Sequence, residues 1–168
     1  MMRSKQRPIR QTHLMQALAE FRFHLRSFLQ FSEQVARKQQ LHPRQHQLLL
    51  QIAGISEGHL ATINFLAKRL GLRQNSVVEL ANRSVAEGLV RRSEDPSDLR
   101  RVILSVTQKG MRVLDALSAS HARELDEYGP KLIRTLKRIK TVHSKNRRVP
   151  VTGRAQTARK LARSRSMG

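Results

Sequence analysis

Residues 86–110 read AEGLVRRSEDPSDLRRVILSVTQKG, the pattern of two short strands joined by a tight turn. Asp95-Pro96-Ser97-Asp98 concentrates turn chemistry: proline presets φ, and aspartate and serine bond to nearby backbone N–H groups. On one side lies the β-like run Leu89–Glu94. On the other, in Arg100–Val106, Val102, Leu104 and Val106 alternate with Arg101, Ile103 and Ser105, the period-two signature of a strand. Gly88 closes whatever helix precedes this hairpin, and Thr107 can cap the helix that follows.

Immediately upstream, Thr62 can cap a short helix through Leu70, with Gly71 at its C-terminal end. A further helix runs from about Arg73 to Glu87. Its start has two readings, because Ser76 with Glu79 three residues on could form a capping box and delay the helix by a turn. Ala67, Gly71, Val77 and Leu80 have the separations of a helix-turn-helix. That motif needs a small residue where the helices cross, glycine for the left-handed turn, and apolar residues to lock the second helix down. A hairpin directly after such a pair is a wing.

Further out, Leu14, Leu18, Phe21, Leu25 and Phe28 place a narrow apolar seam along one long helix over 12–40, of the kind that packs against another helix or a second subunit. Pro43 opens a second helix to about Ala53. After the hairpin, a helix from Thr107 to about Tyr128 is expected to break at Gly129-Pro130, with a last helix to about Lys140. The expected fold class is mainly α with a small β-hairpin wing: a winged helix over 42–107, flanked by terminal helices at 12–40 and 108–140.

The 168 residues carry a formal net charge of +21 and no cysteine. Disulfides, thiolate metal sites and thiol redox switches are thereby excluded. So large a charge asks for a polyanionic partner, nucleic acid first and an anionic membrane surface second. Residues 1–11 and 141–168 are basic and contain no acid, so they read as an arm and a disordered tail that bind phosphates without regard to sequence. No apolar run approaches the roughly 20 residues of a membrane span. The N-terminal basic residues precede no apolar segment, so a cytoplasmic protein is expected. There is no glycine-rich phosphate loop, nucleophile elbow or carboxylate cluster at catalytic spacing; neither enzyme activity nor a cofactor is expected.

The segment 86–110 resembles the wing of the MarR family. The resemblance is carried by Gly88-Leu89-Val90, Asp95-Pro96, Asp98-Leu99-Arg100, and Leu104 to Thr107 followed by Lys109-Gly110. The order of elements over 12–140 matches as well. The resemblance implies a homodimer built by the terminal helices, binding to a palindromic operator in double-stranded DNA, and release by a small ligand such as an aromatic acid. Three positions depart from the pattern: Arg73 stands where a serine or threonine cap is usual, Leu99 where arginine is common, and Glu79 where a basic residue is frequent.

These readings nominate specific side chains. Arg73, Gln74, Asn75 and Ser76 begin the recognition helix, where amides can pair bidentately with adenine and arginine can take a phosphate or a guanine. Glu79 can accept from cytosine or complete the capping box with Ser76. Arg83 can contact phosphate or pair internally. Arg100, on the wing, suits the negative potential of a narrow minor groove, and Asp98 would orient the wing. Arg101, with Arg91 and Arg92, is either a phosphate ligand or a solvated strand charge. His42 and His46 have the four-residue spacing of a helical metal pair but no close carboxylate or thiolate, so no metal is assigned; His42 can equally cap its helix. In the family's fold His46, His24 and Arg26 border a ligand crevice and are candidates for an anionic aromatic effector. A constitutive or architectural DNA-binding protein without an effector is the alternative that the basic tails favour.

Overall fold

The computed structural model describes residues 9–147. The expectations for residues 1–8 and 148–168, the ends of the basic arm and tail, lie outside the described residues. Five helices and one hairpin follow in the order α1 (Ile9–Lys38), α2 (Pro43–Ala53), α3 (Ile63–Leu70), α4 (Gln74–Ala86), β1 (Val90–Asp95), β2 (Asp98–Val106) and α5 (Gln108–Arg147). Among them no helix is long and apolar enough to cross a membrane.

The described residues form two compact units, one of residues 25–129 and one of 9–24 with 130–147. The first holds the principal core, in which Leu48 and Leu49 of α2, Leu66 of α3, Val77 and Ala81 of α4, Leu104 of β2 and Leu117 of α5 are buried together. The hairpin pairs antiparallel from Val90 with Val106 to Glu94 with Val102, and its register shifts at Asp95. Thr62 bridges to Ile103, and the Leu104 N–H donates to the Ala61 carbonyl at 3.0 Å, so the wing is tied to the entry of α3. In the second unit Ala17 of α1 is fully buried, whereas Met15, Leu18 and Phe23 of α1 and Ile133 and Leu136 of α5 are exposed.

Two expectations need correction. The last helix does not break at Gly129-Pro130: α5 is continuous from Gln108 to Arg147 with Pro130 inside it. Proline removes one i→i−4 bond, but Pro130 is solvent-exposed, so the carbonyl it leaves unbonded can be hydrated while good helix formers on both sides carry the helix on. Residues 141–147, read as the start of a disordered tail, continue α5 as helix.

Candidate nucleic-acid interface

The helix-turn-helix forms as its spacing dictates. Thr62 Oγ1 accepts from the Phe65 N–H at 3.2 Å and caps α3. Gly71 adopts the left-handed φ of 63°, which lets the Leu72 N–H return to the Ala67 carbonyl at 3.0 Å. Val77, Leu80, Ala81 and Ser84 then bury one side of α4. Helix α4 starts at Gln74 with Arg73 as N-cap, and Arg73 makes no side-chain cap bond. The Ser76–Glu79 box therefore does not delay this helix; Glu79 instead stands exposed one turn further along.

The outward side of α4 divides between two clefts. Gln74 lies on the wing side, where its Nε2 donates to Asn64 Oδ1 at 3.4 Å. With Asn64, Arg100, Arg101 and Val102 it lines a cleft of about 400 Å³. Ser76, Glu79 and Arg83 line a second cleft, of about 490 Å³, with His42 and Arg44 of the α2 start. Asn75 is exposed, and so is Val78, which the sequence reading did not single out. An apolar side chain on this face can contact a thymine methyl group. Asn64 was also overlooked; its signal is its position two residues after the Thr62 cap, on the exposed side of α3.

The wing is built around a buried carboxylate. Asp95 is 2 % exposed, and its Oδ1 accepts from the Ser97 N–H at 2.9 Å and the Ser97 hydroxyl at 2.6 Å. Arg101 Nε lies 3.3 Å from Asp95 Oδ2. The Ser97 bonds, reinforced by Arg101, hold the Asp95 carboxyl below the ordinary aspartate range against the opposing effect of burial. Asp98 also acts locally, accepting from the Arg100 N–H at 3.1 Å. Arg100 thus has its backbone fixed and its side chain exposed, whereas Arg101 is partly committed to Asp95. Arg91 Nε donates to Ser105 Oγ at 2.8 Å across the strands, and Arg92 is exposed.

At the base of the wing, the Thr107 hydroxyl donates to the Gly88 carbonyl at 2.7 Å and accepts from the Gly110 N–H at 3.1 Å. A Cβ on Gly110 would lie 2.2 Å from the Leu89 carbonyl oxygen, so only glycine permits this approach of α5 to the wing.

The effector candidates fall in different surroundings. His24 lies in the unit of chain ends, with its Nε2 3.9 Å from Glu20. Arg26 is exposed on α1 in the other unit. His46 is 3 % exposed and stacks on His121 at 4.9 Å, a partner missing from the sequence reading. The Leu117 carbonyl can only accept, so His121 Nδ1 donates to it at 2.6 Å, and His121 Nε2 lies within hydrogen-bond distance of Ser32 Oγ at 2.8 Å. Burial, with His121 alongside, lowers the His46 pKa to about 4. His46 is therefore neutral at pH 7 and can offer an anion a hydrogen bond but no charge. His42 Nδ1 accepts from the Arg44 N–H at 3.2 Å, while Gln45 Oε1 accepts from the His42 N–H at 3.2 Å, the reciprocal cap of α2. Among the described residues no group of three or more His, Cys, Asp or Glu is arranged to hold a metal ion.

Residues 39–101 match the model of the MarR family. Solved structures with the same fold include a MarR family transcription regulator, 18 % identical, with a TM-score of 0.64 over 82 % of this chain and 90 % of that one. AbsC, a MarR family transcriptional regulator from Streptomyces coelicolor, is 19 % identical, with a TM-score of 0.59 over 77 % of this chain and 93 % of its own. MepR of S. aureus, in complex with DNA, is 22 % identical, with a TM-score of 0.56 over 76 % and 89 %. No curated protein matches the chain.

Proposed function

We propose, from the match of residues 39–101 to the MarR family model, that the protein is a dimeric, sequence-specific regulator of transcription that binds double-stranded DNA and acts as a repressor released by a small ligand. The observation that carries this reading is the joint presentation, within one compact unit, of the exposed start of α4 and an exposed wing arginine. Gln74 and Arg100 share one cleft, and Asn75 stands beside them. In this reading α4 enters the major groove, where Gln74 and Asn75 read base edges and Arg73 takes a phosphate. Arg100 reaches the adjacent minor groove, and Arg83 holds the backbone. The protein works by binding and not as an enzyme.

A second copy of the chain supplies the symmetry. Exposed Met15, Leu18 and Phe23 on α1 and Ile133 and Leu136 on α5 give it apolar surface to cover. Release by a small aromatic acid is supported by a cavity of about 210 Å³ lined by Leu29, Ser32, Pro43, Arg44 and His46. A cavity of about 150 Å³ is enough for benzene. Arg44 would supply the charge that neutral His46 lacks.

Selection of bound sequences from random duplex DNA tests the proposal. The wild type should yield a palindrome whose half-sites lie about one helical turn apart, and Arg100→Ala should relax the positions flanking the major-groove contacts. An unstructured, non-palindromic outcome would sink the dimeric, sequence-reading function.

A further inference from the structure

We propose that the cleft between the start of α2 and the outward side of α4 is a phosphate site, organised by the side-chain amide of Gln45. Gln45 is 3 % exposed and forms part of the cleft wall. Its Oε1 accepts from the His42 N–H at 3.2 Å, and because a backbone N–H can only donate, the other end of the amide is the Nε2 donor. That Nε2 is buried and has no hydrogen-bond partner among the described residues. Buried donors are normally paired, so this one calls for an acceptor that the chain does not supply.

The surrounding donors specify the acceptor. Arg44 precedes Gln45 on α2, Arg83 joins them from α4, and both arginines are exposed and line the same cleft. Their planar forks match the oxygens of a phosphate. His42 Nδ1 accepts from the Arg44 N–H at 3.2 Å, which leaves the ring proton on Nε2 as a further donor. The Ser76 hydroxyl, also on the cleft wall, is another. A carboxylate brings two oxygens to such a set, whereas a phosphate group brings three or more.

Two acids oppose this site. Glu79 and Glu87 stand one turn before and one turn after Arg83 and line the cleft as well. Both are exposed, and among the described residues neither makes an ion pair with Arg44 or Arg83. Solvent screens their charges, whereas the Gln45 donor is out of its reach. Two cations against two acids make the site weak for a free ion and suit a phosphate that other contacts bring to it. A duplex backbone supplies one where α4 enters the major groove; that source rests on the winged-helix reading, and the site itself does not. Inorganic phosphate is the other source. Arg44 also borders the cavity assigned to an effector, but Gln45 and Arg83 do not, so the Gln45 amide reports this cleft alone.

The experiment follows the Gln45 Nε2 resonances of isotope-labelled full-length protein, assigned through bonds from the Gln45 backbone. Inorganic phosphate, titrated against chloride at equal ionic strength, should shift them saturably. Arg44→Gln should weaken that binding by roughly two- to fivefold, the worth of one exposed charge pair, and Glu87→Gln should tighten it by a similar factor. Gln45→Glu keeps the reciprocal cap, since glutamate also serves at that position, but replaces the donor by a carboxylate and should abolish phosphate binding. Circular dichroism reports folding; if that variant misfolds, Arg44→Gln decides, because Arg44 is exposed. In the second arm a random-sequence duplex should shift the same resonances, and Arg44→Gln should lower the logarithmic salt slope of binding by about 0.9. A shift with phosphate and an unchanged slope assigns the site to the free ion. Resonances that respond to neither phosphate nor duplex overturn the proposal, and so does an equal response to chloride. The phosphate titration needs no operator, so failure of sequence selection would count against the winged-helix function and not against this site.

Discussion

The wing and the recognition helix lie in one compact unit and are held by opposite means. Beyond Val90 and Leu104, which join the core, the wing is fastened by polar bonds: Ser97 and Arg101 close on Asp95, the Arg100 N–H on Asp98, and Arg91 on Ser105. Helix α4 is fastened by apolar burial through Val77, Leu80 and Ala81, and its N-cap residue has no side-chain bond. Such a division suits a surface that must read DNA. Apolar anchoring uses none of the polar groups that reading needs, so α4 keeps its amides on the open side. The hairpin buries Val90 and Leu104 in the core, but its turn has no such apolar anchor, so the turn spends its own carboxylates on rigidity and keeps Arg100 for contact.

The largest effect should come from the apolar side of that comparison. Leu80→Ala, at a position 7 % exposed, should cost about 2–5 kcal/mol. Thermal unfolding should record a fall in Tm of about 4–20 °C. A loss under about 1 kcal/mol would mean that burial is not what anchors α4.

Asp95 tests the polar side. Its carboxyl is held below the ordinary range, so its stabilising contribution is complete above the unfolded-state pKa of roughly 4 and disappears as pH falls through the lower folded value. In the wild type the Ser97 amide resonance should titrate with a midpoint below that ordinary range. In Asp95→Asn it should not titrate there, and the wing amides should exchange faster. A wild-type midpoint at or above about 4 would remove Asp95 as the organiser of the wing.

The smallest effect is the sharpest. Arg73→Ser supplies the cap that α4 lacks and should add about 0.5–1 kcal/mol of stability. The same change should lower the logarithmic salt slope of DNA binding by about 0.9 if Arg73 serves a phosphate. Gain of stability with an unaltered slope would assign Arg73 a merely tolerated place at the cap.

Much of this unit was legible because its signals are local. Thr62, Gly71 and Gly88 each act within a few residues of themselves, as does Thr107 where it accepts from Gly110, and the hairpin follows from its turn and alternation. Pro130 misled because a rule about one missing hydrogen bond does not weigh what the flanking helix contributes. The two aspartates of the turn could not be ranked from sequence: both suit a turn, and only the register shift at Asp95 decides which carboxylate is buried. His121 was invisible for another reason. It meets His46 from 75 positions away, a separation no local spacing encodes.

Thr107 has a mechanical consequence. Its hydroxyl joins the carbonyl of Gly88, just past α4, to the N–H of Gly110 in the first turn of α5, while its own N–H reaches the Leu89 carbonyl at 3.0 Å. Lys109 adds a bond from its Nζ to the Glu87 carbonyl at 2.8 Å. Three elements thus share one hinge pin, and the bare backbone of Gly110 leaves no slack around it. A displacement at the root of α5 cannot be absorbed there as a loop would absorb it. Through these bonds it would bear on the end of α4 and the first residues of β1.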